Sequence, residues 1–353
     1  MIIDTPGPLV LLGSGETSDT GRKTWDSVFA RTRRPVRVSI LETPAGFQPN
    51  AARVAGRIAE FIRHRLQNYK PDVITIPARH RAEPHFSPDN LAILEPMLTS
   101  NVLFAGPGSP TYAVRHLRAS LAWQILLARH RMGSAVVLAS AAVVAAGTFV
   151  LPVYEIYKVG EDLHWHEGLD ILGPYNLPIA FVPHWNNTEG GDDLDTSRCF
   201  VGQQRLDALR RLLPVDVPIL GIDEHTTLTI DLAAGEGHVH GIGTVTILQA
   251  DRQETIPAGR AFPLDRLGTP QLSPASVEDV PPQVFTLIHE AQARRRESEI
   301  PPADTIRMVE QREDARGRKA WDVADRLRTE IAARGWRVSD TPEGPHLEHI
   351  LDE

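Results

Sequence analysis

Short runs of aliphatic and β-branched residues recur along most of the chain, at 9–12, 36–41, 72–76, 102–105, 134–139, 179–182, 218–222, 226–231 and 243–248. Continuous apolar runs of this length predict buried strands. Helix-length segments separate the early runs, for example 51–67, 90–98 and 111–129. Apolar strands alternating with helices predict an α/β fold, a mostly parallel sheet sandwiched by helices. The last strands follow one another with little helix between them, which predicts an antiparallel end.

The texture changes after residue 262. Pro263, Pro270, Pro274, Pro281 and Pro282 crowd into a short stretch, which predicts an extended linker. A helix is expected over 284–297, then Pro301 and Pro302, then helices over 304–316 and 320–334. On the second of these Trp321, Ala324, Leu327 and Ile331 recur at helical spacing, and Gly335 supplies a stop. The expected organisation is a large domain over 1–262, a Pro-rich linker and helix over 263–300, and a small helical appendage over 301–353.

At 353 residues the chain exceeds the size at which a single core stops growing, in keeping with that division. A net charge of −8 gives no general attraction to nucleic-acid backbones or anionic membranes. Cys199 is the sole cysteine, which excludes an internal disulfide and a multi-cysteine zinc cage and suits a reducing cytoplasm. The first residues lack a basic leader, and the longest apolar stretch, 135–153, is interrupted by Ser140, Gly147, Thr148 and Pro152. Neither a signal peptide nor a membrane span is expected. His164 with His166, and His238 with His240, each put two imidazoles on one strand face, but no third ligand accompanies either pair. No metal and no cofactor are expected.

Chemistry concentrates around Ser140. The run 134–139 leads into Ser140 and then a helix-prone stretch of small residues. A serine on a strand-to-helix turn stands at the carboxyl edge of the sheet, where open α/β folds bind ligands. The next backbone N–H, of Ala141, opens the helix and suits an oxyanion. The other reading of Ser140 is a helix N-cap. The glycine-flanked elbow is not intact, because Leu138 and Ala142 stand where Gly-x-Ser-x-Gly has glycine.

The segment around Ser140 resembles the Ser-Ala-Gly-Ala nucleophile loop of the cyanophycinase and dipeptidase E family of serine peptidases, whose fold is similar to class I glutamine amidotransferases. Further segments match in order. LVLLGSGE at 9–16 resembles the family's first strand and turn, and SILETPAG at 39–46 its second strand. VLFAGPGSPTYAVRHL at 102–117 resembles the Gly-Gly-Gly-Asn loop, FVPHWNNTEGG at 181–191 the Pro-His-Phe segment, and GIDEHTTLTID at 221–231 a late strand. The resemblance departs at Ala142, Pro107 and Pro110.

A serine nucleophile needs a base. His184 follows the strand at 179–182 on a polar turn, and the resemblance selects the same residue; His225 is the runner-up. The orienting carboxylate expected is Glu155, fifteen residues after Ser140, where the family supplies its acidic member; Asp170, Asp223 and Glu224 compete with it. The second oxyanion donor is expected from the 105–110 loop, at Gly108 or Ser109, since prolines carry no N–H. A phosphate-cradling loop is the other reading of this turn and of GSGE at 13–16, but no Gly-Lys-Ser/Thr follows either. Asn186, Asn187 and Arg198 are candidates for gripping a substrate carboxylate.

The stretch from Val309 to Leu347 resembles the C-terminal end of cysteinyl-tRNA synthetases, with no trace of a synthetase catalytic domain. From 301 to 353 nine Lys and Arg stand against twelve Asp and Glu, a net of −3, the wrong sign for phosphate tracking. Arg307, Arg312, Arg316, Arg318, Lys319 and Arg326 could still form a local stripe. The expectation is a cytoplasmic serine peptidase-like hydrolase that cleaves a peptide or amide bond, with a homodimer conceivable. A catalytically silent binding protein of the same fold, or a tRNA-associated protein, are the alternatives.

Overall fold

The computed structural model describes residues 5–250, 252–271, 280–298, 300–341 and 344–349. The chain divides into two compact units, Met1–Ile288 and His289–Glu353.

The first unit opens with β1 (Leu9–Leu12), α1 (Asp19–Arg31), β2 (Arg37–Leu41), α2 (Ala51–Arg65), β3 (Asp72–Ile76), α3 (Leu91–Thr99) and β4 (Val102–Ala105). Next come α4 (Pro110–Leu117), α5 (Leu121–Arg131), β5 (Ala135–Ala139) and α6 (Ala141–Ala145). Strands β6 (Phe149–Val150), β7 (His166–Glu167) and β8 (Ala180–Val182) precede α7 (Gln203–Arg210) and β9 (Ile219–Ile222). The unit continues with β10 (Thr226–Asp231), β11 (Glu236–Gly241), β12 (Thr244–Gln249), β13 (Arg252–Pro257) and β14 (Ala261–Pro263).

These strands form two sheets. An eight-stranded sheet runs β14-β11-β10-β1-β5-β4-β2-β3, and a six-stranded one runs β13-β12-β9-β8-β6-β7. In the first, β1, β5, β4, β2 and β3 are parallel, while β10, β11 and β14 close it in antiparallel fashion. The parallel strands β1, β4 and β5 are buried throughout, as covering on both faces demands. One face packs on α1 and α2 through Trp25, Phe29, Ile62 and Phe104. Each such side chain contributes about 1.5–3 kcal/mol by leaving water. Another core holds Val144, Val150, Val182, Trp185 and Leu206, and so joins α6 to the second sheet.

Several differences from the expected elements have local causes. The helix expected over 111–129 is two, α4 and α5, because Ala119 turns left-handed (φ 55°) and Ser120 caps a new helix by accepting from the Trp123 N–H. Strand β13 exposes most of its residues and carries no apolar run. Of the expected Pro-rich linker, residues 272–279, Pro274 among them, lie outside the described residues. Its described flanks are packed rather than extended: Leu264, Leu267 and Val280 are fully buried.

Helix α8 (Pro282–Ser298) spans the division between the units. The second unit contains α9 (Ala303–Gly317), α10 (Trp321–Ala333) and a hairpin of β15 (Trp336–Thr341) with β16 (Gly344–His349). The two helices match the sequence pattern; the hairpin after Gly335 was not expected. Met308, Val309, Ile331, Trp336 and Val338 form its core. Arg312 is 3% exposed and makes a two-pronged pair with Asp340 at 2.8 and 3.0 Å. No described helix is long and apolar enough to cross a membrane.

Candidate active site

Ser140 sits between β5 and α6 in a conformation few non-glycine residues adopt, φ 53° and ψ −116°. It occupies the N-cap position of α6, its carbonyl accepting from the Val143 and Val144 N–H groups, but its side chain makes no capping hydrogen bond. Its Oγ lies 2.9 Å from His184 Nε2 instead. The turn is held by the Ser140 N–H donating to the Leu12 carbonyl and the Ala142 N–H to the Gly106 carbonyl. Ala142, where the resembled family has glycine, is buried and accommodated as the second residue of α6.

His184 follows β8 and Pro183 and is itself left-handed, φ 50°. Its carbonyl accepts from the N–H groups of Asn187 and Cys199. Arg198, Cys199 and Phe200 are left-handed in succession, with φ of 57°, 58° and 69°, each at a cost of about 1–2 kcal/mol. That turn clasps the histidine from behind, with the Phe200 ring 5.9 Å from the imidazole. Nothing in the sequence signalled it.

The carboxylate beside the imidazole is Glu224, not the expected Glu155. Glu224 Oε1 lies 2.9 Å from His184 Nδ1 and accepts from Asn187 Nδ2 at 3.0 Å. Burial alone would raise its pKa. The hydrogen bonds from His184 and Asn187, with the charges of His184 and His225, outweigh burial and hold it below the ordinary carboxylate value. Glu224 is therefore ionised at neutral pH, so Nδ1 carries the proton donated to it and Nε2 is free to accept from Ser140. Sheet register explains the placement. Strand β8 runs parallel to β9 with Val182 opposite Gly221, so the residues just beyond both strand ends, His184 and Glu224, come together.

Glu155 lies on a single π-helical turn, Glu155–Val159. Its Oε1 accepts from Thr111 Oγ1 at 2.6 Å, and Thr111 Oγ1 is in turn 3.0 Å from Ser109 Oγ. Its Oε2 is buried with no hydrogen-bond partner among the described residues. The other competitors are committed elsewhere: Asp223 Oδ2 accepts from the N–H and hydroxyl of Thr244, and Asp170 pairs with the Thr148 hydroxyl. His225 lies against the Gly13–Gly15 turn, its N–H donating to Ser14 Oγ.

The residues expected to hold a substrate carboxylate each make contacts within the fold. Asn186 Oδ1 accepts from the Glu224 N–H at 2.8 Å. Asn187 is buried and braces the Glu224 side chain. Arg198 stacks 4.2 Å over the Trp185 ring and donates to the Trp185 carbonyl and Gln203. Of the expected oxyanion donors, the Ser109 N–H is taken by the Pro44 carbonyl. The N–H groups of Ala141 and Gly108 make no hydrogen bond among the described residues. Gly108 is required where it stands, since a Cβ there would meet the Pro44 oxygen at 1.8 Å. Cys199 is no rival nucleophile: burial, with the Glu224 charge behind it, pushes its thiol up to about 12.

Among the described residues no cluster of three or more His, Cys, Asp or Glu converges as metal ligands would. His164 and His166 contact each other at 3.3 Å, and His238 and His240 stack at 6.4 Å between ring centres.

No family model matches the chain. A solved structure described as a peptidase from an acI-B1 Actinobacterium superposes with a TM-score of 0.58 at 20% identity, over 73% of this chain and 97% of that one. At that identity the likeness establishes the fold. Several curated proteins are similar over a short segment. The cysteine–tRNA ligases of Rubrobacter xylanophilus and Methanosarcina mazei are 46% and 44% identical over 46 residues, 13% of this chain. The chain spans only 10% of the length of these relatives.

Proposed function

We propose that the chain is a serine hydrolase that cleaves a peptide or amide bond through Ser140, His184 and Glu224. The observation that carries this reading is the continuous line from Ser140 Oγ to His184 Nε2 at 2.9 Å and from Nδ1 to Glu224 at 2.9 Å. It starts at a strained serine whose hydroxyl makes no capping hydrogen bond. That order of nucleophile, base and orienting acid is what acyl transfer requires. The fold shared with a structure described as a peptidase supports it.

In this mechanism Ser140 Oγ attacks the carbonyl carbon as its proton passes to His184 Nε2. Glu224 stabilises the imidazolium and keeps Nδ1 protonated. The N–H groups of Ala141 and Gly108 receive the developing oxyanion. Collapse of the tetrahedral intermediate breaks the C–N bond, and the proton on Nε2 goes to the departing amine. Water, activated by the same imidazole, then releases the acyl group and restores Ser140. Glu155 takes a different role from the one expected of it. Its carboxylate, tied through Thr111 to Ser109 Oγ, is suited to brace the loop that carries the Gly108 oxyanion donor.

Labelling with a fluorophosphonate tests the reading. A single adduct on Ser140, absent from Ser140→Ala, is expected. A folded protein that forms no adduct, or one that survives the substitution, overturns it. The similarity to cysteine–tRNA ligases over 46 residues supports a second reading, in which the chain also contacts tRNA. Retention of tRNA at moderate salt, lost on deletion of residues 301–353, is its test.

A further inference from the structure

A cleft of about 340 Å³ opens between α1 and the antiparallel end of the eight-stranded sheet, and it shares no residue with the Ser140 site. Its volume falls within the range of small-molecule sites, about 300–1,000 Å³. Part of its lining is apolar: Pro8, Val10, Val28 and, at its lip, Ile242, which is 74% exposed.

The charged lining is of one sign. Lys23 and Arg31 project from α1, and Ser27 stands midway between them on the same helical stripe. His240 and Thr229 face them from β11 and β10. Among the described residues no Asp or Glu lines the cleft, although the chain as a whole carries a net charge of −8. No ion pair among the described residues engages Lys23 or Arg31. The hydroxyls divide into two groups. Thr24 is committed to Thr227 at 2.8 Å and Thr20 to Ser18 at 2.7 Å. Ser27 and Thr229 make no side-chain hydrogen bond among the described residues. Burial, then His238, then Arg31 lower the pKa of His240, so at neutral pH it is an uncharged hydrogen-bonding ring beside the two cations.

Uncompensated cations flanked by free hydroxyls, above an apolar floor, match a ligand with a doubly charged oxyanion at one end and a flat apolar body at the other. We infer that this cleft binds a small phosphomonoester, its phosphate held by Lys23, Ser27 and Arg31 and its apolar body lying against Pro8 and Ile242. A carboxylate would leave one cation unmatched, which favours the phosphate. This inference does not depend on what Ser140 does.

Isothermal titration of the full chain with phenyl phosphate tests it, with inorganic phosphate, benzoate and phenol as comparison ligands. Saturable one-to-one binding of phenyl phosphate is expected, at least about tenfold tighter than either inorganic phosphate or benzoate, with none by phenol. Lys23→Glu with Arg31→Glu, both exposed helix positions, should weaken it at least about tenfold while leaving the melting temperature and fluorophosphonate labelling unchanged. Ser140→Ala should bind as wild type does. The proposal is overturned by no saturable binding below about 10 mM, by the double variant binding within about twofold of wild type, or by benzoate binding as tightly as phenyl phosphate. Loss of binding after Ser140 is labelled would place the ligand in the other site and overturn it equally.

Discussion

Replacing Glu224 by Gln separates the charge at the orienting position from its geometry. Glu224 Oε1 accepts from both His184 Nδ1 and Asn187 Nδ2, and a glutamine carbonyl can accept the same two bonds. What disappears is the negative charge facing the imidazolium that forms as Ser140 attacks. With Nδ1 and Oε1 2.9 Å apart, the centres of the two charges are about 4 Å apart, worth about 4 kcal/mol at an effective dielectric of about 20. The Glu224 side chain is 29% exposed, so solvent screening trims this to about 3 kcal/mol. At about 1.4 kcal/mol per decade, the rate should fall about 10²-fold to 10³-fold. If the amide instead turns its NH₂ toward His184, the wrong tautomer is selected and the loss approaches about 10⁴-fold. The assay is the second-order rate of fluorophosphonate labelling at Ser140, read by mass spectrometry, with a melting curve to establish folding. Glu155→Gln, run in parallel, should label within about threefold of wild type, because its carboxylate meets Thr111 and not the imidazole. Near-wild-type labelling by Glu224→Gln, together with collapse in Glu155→Gln, would refute the assignment and restore Glu155 as the orienting acid.

Three further outcomes follow from the same structure. Gly108→Ala forces a Cβ to within 1.8 Å of the Pro44 oxygen; the loop must shift, and a lower melting temperature, by about 2 kcal/mol of stability, should accompany slower labelling of Ser140. His130 is fully buried, and burial, with the Arg131 charge acting in the same sense against a hydrogen bond to the Gly7 backbone, pushes its pKa down to about 4. An imidazole depressed in the folded state stabilises fully above its unfolded value of about 6.5 and loses that contribution as pH falls toward about 4. Urea midpoints should therefore drop over this window, and His130→Leu should shrink the drop by about 3 kcal/mol; an unchanged pH profile would contradict the buried neutral ring. In the second unit, Asp340→Ala leaves the buried Arg312 with Glu313 as its ion-pair partner among the described residues. Because Asp340 is itself 45% exposed, the cost should be about 1–3 kcal/mol. It should be visible as faster hydrogen exchange in α9 and β15 with no change in Ser140 labelling.

The two carboxylates show where the sequence stops being sufficient. Glu155 and Glu224 each stand beside an apolar segment, and the resemblance to the cyanophycinase and dipeptidase E family pointed to the first. Only the register of β8 against β9 brings the second to His184. Asn186 and Asn187 likewise read as free polar residues on a turn, yet Asn186 Oδ1 and Asn187 Nδ2 both brace Glu224. The break between α4 and α5 hangs on the backbone of one residue, Ala119, which has no composition cue. Strand β13, Arg252–Pro257, has a largely exposed pattern that resembles a loop until β12 is beside it.

The sequence by itself determined the layered α/β class, most of the buried strands, and the placement of Ser140 and His184 at strand ends. These depend on local quantities: a run of apolar side chains needs covering on both faces, and a small-residue turn after a strand exposes what it carries. The tertiary structure alone decided that the strands divide between two sheets, that Glu224 faces the imidazole, that the Ser140 hydroxyl bonds His184 instead of capping α6, and that Lys23 and Arg31 flank a cleft without a carboxylate. Each of these is a distance between residues far apart in the chain, set by strand register and packing, and such distances leave no periodic trace in a single sequence.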